Sequence, residues 1–288
     1  MTSLKNLRYR IAGIKTTAKI TQTMQMIAST ELVKYKKLLS ISLERKKILK
    51  SFLAELDNDE LSELSCLRDT HSVERKQIII VLGSDRGLCG GFNGKIAKAL
   101  EKCQGSETIK TQDITLIVVG KKILSRIKSP NVINFASTNG ILYTFQLACQ
   151  IANMLLELSG THLLDCKLLY SSFNNALNYE IIEETLLPLC KSNLREGLDL
   201  ENQKSEIPEI DDQDFAKNLA LSYVQSSVYH ALVSSKASEE SSRVIAMDGA
   251  TKNSNQLTEA LTLEMNKIRQ SNITRELIEI VSSSQALK

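Results

Sequence analysis

A chain of 288 residues, 42% hydrophobic and 24% charged, has the composition of an ordinary soluble protein and is long enough for one large core or two modest ones. A net charge of +3 does not by itself argue for nucleic acid, and no apolar run approaches the roughly 20 residues that span a bilayer. The six cysteines show no CxxC spacing, so neither a zinc ribbon nor a redox dithiol is encoded; they read as single thiols in a reducing compartment.

All three prolines, Pro130, Pro188 and Pro208, fall in the middle of the chain, which leaves both ends free of the strongest helix breaker. In residues 1–56, Leu4, Leu7, Ile11, Ile14, Ala18, Thr21, Ala28, Leu32, Tyr35 and Leu39 recur at alternating steps of three and four, with Gln25 filling the one gap. This is a heptad seam, and Ile20, Met24 and Ile27 are expected to widen its stripe. A helix of about 50 residues would run roughly 75 Å and must bury that stripe against something. The segment holds twelve Lys or Arg against Glu31, Glu44 and Glu55, a net of +9. Its basic start superficially resembles a transit peptide, but the helical pattern runs on past it and it reads as mature protein.

The middle of the chain, residues 75–196, reads as α/β. Gln77–Leu82 and Ile114–Val119 are continuous apolar runs, as parallel strands buried on both faces require. Each is followed by a helical stretch, Gly94–Leu100 and Lys121–Ile127. Val132–Phe135 is a third strand, a helix is expected from about Leu142 to Leu158, and Lys167–Tyr170 leads a fourth strand. Tyr179–Leu187 fits strand or helix. This alternation predicts a doubly wound, mostly parallel, Rossmann-like sheet. Residues 197–211 are polar and read as an exit linker.

From Phe215 onward the apolar pattern returns at Leu221, Val224, Val228 and Leu232, and again at Leu257, Leu261, Met265, Ile268, Ile273, Leu277 and Ile280. Small residues between Ser234 and Ala250 would let another backbone approach closely. Roughly 70 helical residues would exceed about 100 Å, beyond any globular helix. Residues 211–288 carry eight Lys or Arg against ten Asp or Glu, a net of −2, so the basic first segment could attract this one or face an acidic partner. The expected architecture is an antiparallel coiled coil of the two ends, 1–56 and 211–288, around the inserted α/β domain.

Few residues offer chemistry. Gly83–Gly94 (GSDRGLCGGFNG) follows the first strand, where nucleotide-binding folds hold phosphate. A GxxxxGK loop ending in Ser or Thr would need glycine where Cys89 stands and a hydroxyl where Ile96 stands, and GxGxxG spacing is absent. A tight turn with positive φ or close backbone packing is the better reading, with a nucleotide-binding α/β enzyme carrying helical extensions as the alternative. His71, His162 and His230 are isolated, no catalytic set is visible, and no cofactor or metal is expected. The neighbouring acids Glu183–Glu184 and Glu239–Glu240 read as solvated. In Met265–Ile280, Asn266, Arg269, Gln270 and Thr274 set a polar column beside the apolar stripe, which is costly to bury unless those groups meet partners.

Three ordered stretches resemble the gamma subunit family of F-type ATP synthases. Leu7–Ile27 (LRYRIAGIKTTAKITQTMQMI) is similar to that family's opening, Ser84–Asn93 (SDRGLCGGFN) to its central loop, and Glu239–Ala250 (EESSRVIAMDGA) with Leu263–Val281 (LEMNKIRQSNITRELIEIV) to its closing motifs. The resemblance implies a non-catalytic rotary shaft, one copy per complex, with its coiled coil inside the alpha/beta hexamer and its globular part on the epsilon subunit and the c-ring. It places Arg269, Gln270 and Thr274 against the beta-subunit catch loops and Met24 against the beta lever, whose acidic segment the basic first helix would face. It also implies a peripheral protein on the cytoplasmic face of a bacterial inner membrane, with the mitochondrial matrix side as the alternative, no insertion of its own and no nucleic acid partner. Glu31 departs from the family's usual Lys, and Val244 stands where Met is usual.

Overall fold

The computed structural model describes residues 4–55, 76–106, 114–127, 131–135, 141–161, 164–175, 178–189 and 213–286. Its elements are helix α1 (Leu4–Glu55), strand β1 (Lys76–Leu82), α2 (Phe92–Ser106), β2 (Ile114–Val119), α3 (Lys121–Leu124), β3 (Val132–Phe135), α4 (Ile141–Thr161), β4 (Leu164–Phe173), β5 (Tyr179–Leu187) and α5 (Gln213–Ala286). The chain divides into two compact units, Met1–Ser29 with Arg243–Lys288, and Thr30–Ser242. Both terminal helices contribute to both units. The proposed linker at 197–211 and the residues His71 and His162 lie outside the described residues.

In the larger unit the five strands run in the order β3-β2-β1-β4-β5, with β1, β2, β3 and β4 parallel and β5 antiparallel to β4. Alternation along β1 explains why the strand is apolar throughout. Ile78, Ile80 and Leu82 point into a core shared with Leu147, Ile151 and Leu155 of α4 and with Ala220, Val224, Val228 and Leu232 of α5. Ile79 and Val81 point the other way, against Phe92, Ile96 and Leu100 of α2 and Ile123 of α3. A strand covered on both faces has no polar side to show. The segment 179–187, left open between strand and helix, is the antiparallel edge strand. The helix expected over 121–127 ends at Leu124 and continues as a turn in which Arg126 N–H donates to Ile123 O at 2.9 Å.

Two glycines close the C-terminal ends of β1 and β2. A Cβ on Gly83 would lie 2.4 Å from Ile123 Cγ2, and one on Gly120, whose φ is 112°, would lie 2.9 Å from the carbonyl group of Gly83. Only glycine lets the chain reverse this tightly here.

Of four acids expected to be solvated, Glu183 is exposed, Glu184 and Glu240 are partly buried and Glu239 is buried. Glu183 and Glu184 sit on β5, and Glu184 accepts from Lys46 of α1 and from the Tyr170 hydroxyl at 3.2 Å. Glu183 pairs with Lys167 at 3.1 Å and accepts from the Cys103 thiol at 3.0 Å. Glu239 is 2% exposed and pairs with Lys236 at 3.1 Å, one turn away. Glu240 has a neighbour too, adding to the upward pressure on the Tyr35 hydroxyl. Charges as withdrawn from water as those of Glu184 and Glu239 need such partners. His230 is half-buried and hydrogen-bonded to Ser42 Oγ at 3.0 Å. Burial, followed by the nearby Lys46 cation, holds its imidazole down at about 4.

Candidate partner interface

The smaller unit pairs the N-terminal half of α1 with the C-terminal part of α5. Leu7, Ile11 and Leu261 are buried together, with Ile14, Met265 and Ile268 packed around them. Farther along, Thr21 Oγ1 and Thr251 Oγ1 share a hydrogen bond at 2.7 Å, and Gln25 Nε2 donates to Asp248 Oδ1 at 3.2 Å. Numbers rise on one helix as they fall on the other, so the pair is antiparallel. Gln25, which interrupts the apolar seam, therefore has a charged acceptor on the facing helix. A run of α5 hydroxyls turns inward on its own backbone: Thr251, Ser254, Thr258 and Thr262 each donate to the carbonyl four residues earlier, at 2.7–2.8 Å.

Ile20, Met24 and Ile27 do not widen this seam. They are 51%, 38% and 55% exposed and lie off it, on an open face with Lys15, Thr16, Lys19 and Thr23. A residue three or four positions from a seam residue in sequence can still point 100° or so away from the facing helix. The four site residues named from the sequence fall in two places. Met24 lies beside the Gln25–Asp248 contact. Arg269, Gln270 and Thr274 are all exposed, beyond the Leu7–Ile268 packing. About 21 residues of helix, roughly 30 Å at 1.5 Å each, separate them from the Met24 level. Thr274 Oγ1 donates to Gln270 O at 3.0 Å, so Gln270 and Thr274 share one face. Beside them Ile273, Leu277, Ile278, Ile280 and Val281 are 49–63% exposed. One helix end thus offers apolar side chains and amide and guanidinium donors together.

The glycine loop is occupied by its own chain. Asn93 Oδ1 accepts from Ser84 N–H at 3.1 Å while Asn93 Nδ2 donates to Ser84 Oγ at 2.7 Å, and Ser84 Oγ donates to Arg86 O at 2.9 Å. Asp85 Oδ1 takes the Lys121 N–H at 2.9 Å. Leu88 and Gly90 adopt φ of 63° and 58°, the left-handed turn the glycines were expected to allow. Ligands in doubly wound sheets bind where the strand order reverses, here between the C-terminal ends of β1 and β4. In this chain Ser235 of α5 donates to Leu82 O there at 3.3 Å, and Ser234 donates to Ser171 O at 3.0 Å. The Ser84 amide and the Leu82 and Ser171 carbonyls, which face the crevice, are thus already bonded within the chain. Among the described residues no group of three or more His, Cys, Asp or Glu is arranged to hold a metal, and no helix is long and apolar enough to cross a membrane.

This arrangement, two long terminal helices around a parallel sheet, has known counterparts. The family model described as "ATP synthase" matches residues 3–287. The ATP synthase gamma chain of Rickettsia canadensis is 32% identical over 294 residues, spanning all of both chains. The chain belongs to the ATP synthase gamma family. The gamma chain of Clostridium perfringens is 33% identical over 99% of this chain and 98% of its own. The fold is similar to that of a chain of the Euglena gracilis mitochondrial ATP synthase (OSCP/F1/c-ring), at a TM-score of 0.63 and 19% identity, covering 99% of this chain and 94% of that one. A chain from the central stalk and c-ring of the Tetrahymena thermophila mitochondrial ATP synthase matches at a TM-score of 0.53 and 22% identity, over 80% and 99%.

The serines and the buried acids carry more of the structure than the sequence reading assigned them. Small size was the visible signal in Ser234–Ser242. The partners of those hydroxyls lie some 60 to 150 residues away in the chain.

Proposed function

We propose that this gamma-family chain is the central rotary shaft of an F-type ATP synthase, carrying torque between a proton-driven c-ring and a catalytic alpha/beta hexamer while doing no catalysis itself. The observation that carries the reading is the far end of α5, where five aliphatic side chains stand exposed beside Arg269, Gln270 and Thr274. An isolated helix end gains nothing from such a stripe, whereas a surrounding ring of subunits would bury it. Arg269 suits that setting because a guanidinium makes bidentate, weakly hydrated contacts. Met24, with Ile20 and Ile27, forms a second apolar contact farther down, flanked by the Lys15 and Lys19 charges that an acidic lever segment would meet.

The reading also draws on the fold relatives, which come from F1, c-ring and rotor assemblies. On it, the alpha and beta subunits surround the helical end, and the epsilon subunit and c-ring meet the α/β domain. One copy serves each complex, peripheral to the cytoplasmic face of a bacterial inner membrane. An asymmetric axle turning inside a symmetric hexamer changes its catalytic sites in sequence, because each orientation makes different contacts with each site. The occupied crevice between β1 and β4 weighs against the nucleotide-enzyme alternative.

The test is reconstitution with alpha and beta subunits, followed by single-molecule recording of ATP-driven rotation. A 3:3:1 complex that rotates is expected, with torque reduced in Arg269→Ala/Gln270→Ala. Unchanged torque in that variant would overturn the assigned contacts, and failure to assemble with the hexamer would overturn the shaft itself.

A further inference from the structure

Within residues 30–242, α5 is fastened to the sheet by hydroxyls as well as by apolar side chains. Ser234 Oγ donates to Ser171 O and accepts from Phe173 N–H, both at 3.0 Å. Ser238 Oγ reaches the same Ser171 carbonyl at 3.4 Å, and Ser235 Oγ reaches Leu82 O at 3.3 Å. Ser242 Oγ donates to Cys89 O at 3.0 Å. Four serines within nine residues thus hold the helix to the C-terminal ends of two neighbouring parallel strands and to the loop after the first. Ser234, Ser235 and Ser238 are at most 4% exposed, so water does not compete for these bonds. A helical serine ordinarily turns its hydroxyl back to its own backbone; these four reach across to another layer.

We infer that this serine ladder is the torque-bearing joint between the α/β domain and α5, an inference that rests on the shaft reading above. Apolar burial favours contact but is non-directional, so it opposes separation of a helix from a sheet more than turning of the helix about its axis. Hydrogen bonds weaken steeply once the donor angle falls below about 120°. A small rotation of α5 would therefore strain every rung together. Ser234, Ser238 and Ser242 follow one another at four-residue spacing along one stripe of the helix. Their acceptors belong to separate chain segments, β4 and the loop, and Ser235 adds β1, which divides a twisting load among three anchors. The four serines are positioning residues: they touch no nucleotide and act by keeping the helix in register with the domain that would drive it.

The joint is tested in assembled ATP synthase carrying Ser234→Ala/Ser235→Ala/Ser238→Ala/Ser242→Ala. The readouts are protons pumped per ATP hydrolysed in sealed vesicles and rotation against viscous load, with subunit stoichiometry and unloaded ATP hydrolysis as controls. The expected result is an intact complex that hydrolyses ATP at its usual unloaded rate but pumps severalfold fewer protons per ATP and stalls at lower load. Ser242→Ala alone should shift both readouts the same way by less. If the fourfold variant does not assemble, Ser235→Ala/Ser242→Ala, which keeps the Ser234–Ser171 bond, decides by the same readouts. Unchanged pumping and loaded rotation in an assembled variant overturn the joint. So does failure of the double variant to assemble, because the serines would then serve folding alone. An unaltered chain that does not rotate in the same complex overturns the shaft reading instead.

Discussion

Replacing Glu184 with glutamine keeps the shape of the side chain and removes its charge, which isolates what the Lys46–Glu184 contact does. Lys46 is 13% exposed and Glu184 25%, so the ammonium left behind is mostly, but not wholly, out of water. Breaking a fully buried pair costs about 3–5 kcal/mol, because one charge is stranded. Access of water to a quarter of Glu184 reduces that to about 2–3 kcal/mol, still well above the value of a surface pair. The amide oxygen that replaces the carboxylate can still accept from Tyr170, so that bond should survive. For a protein of this size, about 2–4 °C of melting temperature is lost per kcal/mol, which places the drop near 4–12 °C. Thermal unfolding of the purified chain followed by circular dichroism reads it directly. The Lys46→Met/Glu184→Leu variant, which strands no charge, should recover most of the loss. The reasoning is refuted if Glu184→Gln melts within about 1 °C of the parent, or if the double variant is the less stable of the two.

Other outcomes follow from the same structure. His230 is held at about 4 against 6.5 for a free imidazole, so the unfolded chain binds the proton more readily than the folded one. Its stabilising contribution is complete above pH 6.5 and is lost as the pH falls towards 4, by up to about 3 kcal/mol; urea unfolding at a series of pH values should show this slope, flattened in His230→Gln. Gly120→Ala places a Cβ 2.9 Å from the Gly83 carbonyl at a φ of 112° and should cost at least about 2 kcal/mol in denaturant unfolding. Asn93→Leu strands the Ser84 N–H and should cost about 1–3 kcal/mol, measured the same way. Arg269→Ala is exposed and should change the stability of the isolated chain by less than about 0.5 kcal/mol while still weakening rotation in the complex.

Much of the frame was legible because single residues were enough to signal it. Leu7, Ile11, Ala18, Thr21, Ala28, Leu32 and Tyr35 all lie buried where the heptad steps put them. The doubly buried strands announced themselves by lacking polar residues, and β2 and β3 have the bounds that were read from sequence. Ile20, Met24 and Ile27 misled because an apolar side chain left exposed looks the same in sequence as one bound for the core. Glu184 and Glu239 misled for the complementary reason. Their partners come from α1 and from one turn back on α5, and adjacency in sequence conceals both pairings. The proposed contact residues Met24, Arg269, Gln270 and Thr274 came from resemblance to the family, since no local pattern distinguishes an exposed arginine that binds from one that is merely hydrated.

The inward-turned hydroxyls of Thr251, Ser254, Thr258 and Thr262 have a mechanical consequence. A side chain that shares a carbonyl with the helix's own amide loosens that amide's bond and favours bending at its turn. Four such sites in succession make this stretch of α5 more pliant than an alanine or leucine run of equal length. Stiffness is thus graded along a single rod, firm where serines grip the sheet and springy nearer the tip. In the shaft proposed above, a helix graded in this way would yield near its far end before the serine-anchored stretch moved.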